Sequence, residues 1–269
     1  MKEYTTQSIR NVALVSHSSA GKTMLAEALL HFTGETTRLG RIEDGSTVSD
    51  YEEEEIRRGI SLSTSVIPVE HKGQKINILD TPGYNDFVGE VISALRVADS
   101  SIILVDAVSG AEVGTEIGMN YASEFGLPRF VVINKMDRDN ADFKKSLLSV
   151  QDLSEARLIP LQLPWGEKSN FQGIIDILTM KAYADKGRSP VGIPAEYTDA
   201  AEEARMELIE SAAEGNDDLL MKYLEGEELS PEEIVIGLKS AVLSGTSIPV
   251  FITSATTEIG LAPLLDAVV

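Results

Sequence analysis

The chain has 269 residues, of which 43% are hydrophobic and 25% charged, and its formal net charge is −20 at pH 7. So acidic a protein does not present a broad basic face for nucleic acid, although one phosphate pocket made of backbone N–H groups and a single lysine needs no net positive charge. With no cysteine, disulfides and thiolate metal sites are excluded, and His17, His31 and His71 show none of the spacings that zinc sites use.

In chain order, the polar stretch Met1–Arg10 carries no apolar signal segment. No run approaches the roughly 18 apolar residues of a spanning helix. A cytoplasmic, monomeric protein with no membrane contact is expected. Val12–Val15 reads as a strand buried on both faces, leading through Ser16–Gly21 into a helix over Lys22–Phe32 that Gly34 ends. Residues 38–64 are polar without a clean period and predict a long, mobile loop, a kind that is usually functional. Val66–His71 and Lys75–Leu79 predict a hairpin turning at Lys72–Gly73. A helical spacing over 86–98, a strand at Ile102–Val105, a helix over 111–125 and a strand at Phe130–Ile133 follow. This alternation predicts an α/β fold with a mostly parallel central sheet flanked by helices.

From about residue 157 to 245 the pattern changes, predicting an inserted α+β subdomain. Two strand-like pieces, Leu158–Leu163 and Gly173–Tyr183, precede helical segments in which Glu196–Glu233 holds fourteen acidic residues against Arg205 and Lys222. Ile248–Ile252 returns to the buried-strand pattern, so residues 1–156 and 246–269 are expected to form one body. A helix from Leu261 to Val269 breaks off without a cap, which predicts further domains beyond it.

Four segments at expected strand ends carry chemistry. Ser16-His17-Ser18-Ser19-Ala20-Gly21-Lys22-Thr23 matches the phosphate-loop (P-loop) pattern except at its first glycine. There, backbone N–H groups and a helix N-terminus surround anionic oxygens, Lys22 neutralises β and γ phosphates, and the Thr23 hydroxyl holds Mg²⁺. Asp80-Thr81-Pro82-Gly83 alone is a turn sequence. After a buried strand it offers Asp80 to the metal, and at Gly83 a backbone N–H with no side chain in the way. In Asn134-Lys135-Met136-Asp137, the carboxylate accepts both the ring N–H and the amino hydrogens of guanine, a donor pair adenine lacks. Asn134 braces the loops, the Lys135 stem covers the base, and Ser254-Ala255 adds backbone contacts. Asp80–Gly83 and Ser254-Ala255 are weak alone; four such loops at strand ends, in this order and chemically complementary, are strong together.

On these residues the chain resembles the translational GTPases, specifically elongation factor G. Glu52-Glu-Glu-Glu-Ile-Arg-Arg-Gly-Ile-Ser61 resembles the family's first switch loop, with Ser61 where a threonine usually caps Mg²⁺, and Asp86-Phe-Val-Gly-Glu90 resembles the start of the second switch. Gly173–Tyr183 and Tyr223-Leu-Glu-Gly-Glu227 resemble the insert of elongation factor G. The resemblance implies a P-loop GTPase domain binding GTP or GDP with Mg²⁺, activated by the ribosome, with the insert meeting the ribosomal stalk protein. Two departures concern catalysis and cation binding: Tyr84 stands where the family has a water-positioning histidine, and Ser19 replaces a common aspartate. Tyrosine stays neutral near pH 7 and cannot inherit the histidine's proton chemistry. The sequence therefore supports a slow GTPase switch resembling an elongation factor G paralogue. It also admits a GTP-dependent assembly module with little hydrolysis, and a ribosome-protection or recycling GTPase.

Overall fold

A computed structural model describes residues 2–184 and 189–269. Met1 of the expected body and residues 185–188 of the expected insert lie outside the described residues. The large sheet has seven strands: β1 (Ile9–Val15), β2 (Ser65–His71), β3 (Gln74–Asp80), β4 (Ser100–Asp106), β5 (Arg129–Asn134), β6 (Arg157–Pro160) and, far along the chain, a strand at Ser247–Ile252. Their spatial order is β2-β3-β1-β4-β5, then Ser247–Ile252, then β6. All neighbours are parallel except β2 and β3, which form the expected hairpin. The inner strands are apolar on both faces because helices cover both. β2, at the edge, alternates instead, with Val66 63% exposed and Ile67 and Val69 buried.

Helix α1 (Lys22–Thr33) packs Leu25, Ala26 and Leu29 on one face of the sheet. On the other face lie α3 (Val88–Val97), α4 (Val113–Glu124) and α5 (Phe143–Gln151), through Val91, Leu95, Met119, Ala122 and Val150. The sequence reading assigned no element to Phe143–Gln151; its start is marked by Asp142, whose carboxylate accepts from Lys145 N. The strand order reverses at β1, whose two neighbours, β3 and β4, come later in the chain. The carboxyl ends of the strands align there, with Leu14 opposite Asp80, Asp106 opposite Asn134, and Ile252 opposite Ile133. Open parallel sheets bind ligands along that edge.

Three expectations change. Residues 38–64 are not all irregular: α2 (Glu53–Arg58) forms behind a reciprocal Glu52–Glu55 capping box and stops at Gly59 in the left-handed region. The loop is also pinned by two buried carboxylates. Glu27 accepts from Val48 N at 2.5 Å, and Glu55 accepts from Leu62 N and Ser63 N at 2.8 and 3.2 Å. Leu158–Leu163 is not one strand. Its first part, within β6, pairs with Ser247–Ile252 in the large sheet, and β7 (Gln162–Trp165) enters a second, four-stranded sheet. Gly173–Tyr183 likewise divides into β8 (Gly173–Asp176) and β9 (Lys181–Ala184), joined by a turn in which Asp176 accepts from Thr179 N and Oγ1.

That second sheet is antiparallel and completed by β10 (Pro190–Val191). Three helices follow, α6 (Thr198–Glu214), α7 (Asp217–Leu224) and α8 (Pro231–Leu243), before Ser247–Ile252, here β11, and α9 (Leu261–Val268). The chain thus leaves the large sheet after Pro160, just past the expected boundary at 157. The two parts share apolar packing through Ile175, Leu208, Ile234 and Leu238. Among the described residues, no helix is long and apolar enough to cross a membrane.

Candidate functional site

The Ser16–Gly21 loop closes β1 and opens α1 by bending through left-handed backbone at Ser19 (φ 66°) and Gly21 (φ 103°). At Gly21 a side chain is excluded twice, by φ and by Asn134, whose Nδ2 would lie 2.6 Å from an added Cβ. The Lys22 ammonium turns back into the loop, donating to Ser16 Oγ at 2.9 Å, with the carbonyls of His17 and Ser16 at 3.4 and 3.5 Å. Burial pushes Lys22 down to about 8, although Asp80 and Asp50 oppose this.

Beside it lies a cluster of hard oxygens. Thr23 Oγ1 donates to Asp80 Oδ2 at 2.9 Å and lies 3.3 Å from Ser61 Oγ, which donates to Asp50 Oδ1 at 2.7 Å. Burial raises Asp80 to about 6 against the pull of Lys22 and Thr23, and it raises Asp50 as well. Asp80 Oδ1 is buried and, among the described residues, has no hydrogen-bond partner. The Ser49 hydroxyl lies near enough to lower Asp80 slightly, yet it too lacks a partner in hydrogen-bond geometry. An unpaired carboxylate oxygen beside two hydroxyls fits Mg²⁺, which takes few protein oxygens and completes its shell with water and phosphate.

Gly83 lies directly over the phosphate loop. An added Cβ would sit 2.7 Å from Lys22 Nζ and 2.9 Å from Ser18 N, so only glycine permits this approach. Thr81, by contrast, uses its hydroxyl structurally, donating to Leu14 O at 2.6 Å. Tyr84 is 43% exposed, and it borders a small pocket with Pro82, Val88 and Val91.

Asn134 joins three loops. Its Nδ2 donates to Ala20 O at 3.1 Å, and its Oδ1 accepts from Thr253 Oγ1 and Ala255 N at 3.0 and 3.2 Å. Lys135, in the left-handed region, reaches back to Ser19 O at 2.5 Å and Asp106 Oδ2 at 2.6 Å, laying its stem along this edge. Asp137 Oδ2 accepts from Thr256 Oγ1 at 3.2 Å, while Oδ1 is buried and unpartnered among the described residues. The Ser254 hydroxyl is engaged locally with Thr256 and with Thr257 N, the Ser254 N–H and carbonyl pair with Ile259, and the Ala255 N–H is held by Asn134.

Lys22, Asp80 and Asp137 therefore share one edge, connected through Thr23 and Asn134. His17 turns away from it, accepting from Gly114 N at Nδ1 (3.3 Å) with Glu112 3.7 Å from Nε2. The sequence reading missed Asp50, Asp106 and Thr256. Asp50 sits in an acid-rich loop without periodicity, and Asp106 falls just beyond the expected strand at Ile102–Val105. Thr256 gave no signal, because a hydroxyl in a turn is ordinary. Chemically, the edge can offer a phosphate cradle, oxygens suited to a hard cation, and a carboxylate able to accept N–H donors.

Comparison with known proteins fits this arrangement. The family model of the elongation factor Tu GTP binding domain matches residues 7–269. Among solved structures, a crystal structure of a protein from Thermus thermophilus superposes with a TM-score of 0.90 at 38% sequence identity. The match covers 97% of this chain and 39% of that one, so the chain spans well under half the length of this relative.

Proposed function

The chain belongs to the elongation factor Tu GTP binding domain family, and from that premise we propose that it binds GTP and GDP with Mg²⁺ and hydrolyses GTP as an elongation factor G-like, ribosome-coupled switch. One observation carries this reading: Lys22, Thr23 and Asp80 meet at the strand edge where Asn134 also ties in the Asp137 loop. In this reading Ser16–Gly21 binds the β-phosphate through backbone N–H groups, and Lys22 regains its full charge beside the phosphates. Thr23, Ser61 and Asp80 hold the magnesium ion, with Asp50 behind Ser61. When bound, that ion neutralises charge on the β and γ phosphates. The Gly83 N–H orients the γ-phosphate, Asp137 selects guanine, and Ser254-Ala255 lies along the base. The insert, expected over residues 157–245 and leaving the large sheet after Pro160, is directed at a ribosomal protein partner.

Tyr84 determines the rate. Partly exposed, and with a phenol where the family has an imidazole, it orients water without accepting its proton, so turnover without an activator is slow. The same residue favours a second reading, a GTP-dependent assembly module with little hydrolysis. Measuring phosphate release with and without ribosomes separates them. Stimulation that disappears in Lys22→Ala supports the switch, whereas tight GTP binding with no release under either condition supports the module. If GTP does not bind at all, both fail.

A further inference from the structure

The loop after β11 has a feature the motifs do not predict. It closes on itself through paired bonds between Ser254 and Ile259, each accepting from the other's N–H at 3.1 Å. Glu258 inside it is held at φ 60°, a conformation that costs a non-glycine residue energy and persists only where its surroundings enforce it. Here the enforcement includes His31 of α1, whose Nδ1 lies 2.6 Å from the buried Glu258 carboxylate. Gly260 follows at φ 82°, its missing side chain making room for the Ile252 carbonyl. The loop is thereby braced on the sheet and on α1, and at its exposed turn Thr256 directs a hydroxyl to Asp137 Oδ2.

A carboxylate held by one fixed hydroxyl loses little rotational freedom when a ligand arrives, and its second oxygen is buried without a hydrogen-bond partner among the described residues. We propose that Thr256 is a positioning residue for base specificity: its hydroxyl presets the Asp137 carboxylate to accept the two adjacent N–H donors of a guanine base. The proposal rests on the reading of Asp137 as the base-selecting group, and adds that selectivity depends on a side chain outside the motif. Preorganisation favours a ligand making both hydrogen bonds over one making a single bond, so it is read in the comparison of GDP with inosine diphosphate, which lacks the exocyclic amino group.

The test titrates GDP and inosine diphosphate into the whole chain and its variants by calorimetry. Wild type should prefer GDP. Thr256→Val keeps the side chain's shape, removes the hydroxyl, and should narrow that preference about tenfold, equivalent to about 1.4 kcal/mol. Thr256→Ser should restore it. Exposure of Thr256 makes misfolding an unpromising explanation, and circular dichroism of each variant checks for it directly. A Thr256→Val protein that folds and keeps the wild-type preference overturns the proposal while leaving Asp137's role intact. A wild type with no preference for GDP overturns the reading of Asp137, and the proposal with it.

Discussion

Replacing Asn134 by alanine tests the architecture of the site more directly than any change at a charged residue. The side chain makes three hydrogen bonds, at 3.0, 3.1 and 3.2 Å, to groups on residues at most 3% exposed. Truncation leaves the Ala20 carbonyl, the Thr253 hydroxyl and the Ala255 N–H without it. A buried polar group deprived of its partner costs about 1–3 kcal/mol. Thr253 can rotate toward another acceptor and water can reach some of the space, so the expected loss is about 3–5 kcal/mol in total. That is a large fraction of the roughly 5–15 kcal/mol that holds a domain folded. For a chain of this size it corresponds to a fall in Tm of about 6–15 °C. Affinity should fall too, since the phosphate loop and the Ser254-Ala255 loop are no longer held in register. Thermal unfolding followed by circular dichroism, with and without GDP, measures both. A Tm within about 2 °C of wild type, with unchanged GDP binding, would refute the claim that Asn134 couples the loops.

Three further outcomes are expected. Asp137→Asn should lose about a hundredfold or more in GDP affinity and gain preference for xanthine nucleotides, because an amide donates where guanine also donates; competition binding checks this. Glu55→Ala removes the acceptor for Leu62 N and Ser63 N, so trypsin should cut faster at Arg57 and Arg58, and equal cleavage rates would contradict the pinning of this loop. Asp176 supplies a pH test: burial raises it above the ordinary 3.8, against its bonds to Thr179 and the nearby Arg205. The folded state then holds this proton more tightly than the unfolded chain does. Its contribution to stability is greatest below about 4 and is lost as pH climbs through the raised value. Asp176→Asn keeps an acceptor for Thr179 and removes the titration, so urea unfolding should show the variant gaining on wild type as pH rises above about 4 and through the raised value. A stability gap that does not change with pH would contradict it.

Much of this molecule was legible in the chain itself. Continuous apolar runs such as Ile102–Val105 and Ile248–Ile252 determine that strands are covered on both faces, and their alternation with helical spacing determines a parallel sheet. Short-range chemistry was equally plain: Gly21-Lys22-Thr23 after a buried strand, and Asp80 and Asn134 where strands end. These are local properties, set by backbone sterics and by period. What only the tertiary structure decided depends on residues distant in sequence meeting in space. Arg157–Pro160 and Gln162–Trp165 look alike as short strands, and the sheet each joins is chosen by its neighbours. Glu27 and Glu55 are ordinary acidic residues until burial turns them into anchors for a loop that composition alone suggests is free. Asp50 reaches Ser61, and Thr256 reaches Asp137, across loops without periodicity. Hydrogen bonds between such loops depend on position within a few tenths of an ångström, and only the packed sheet beneath them sets that position.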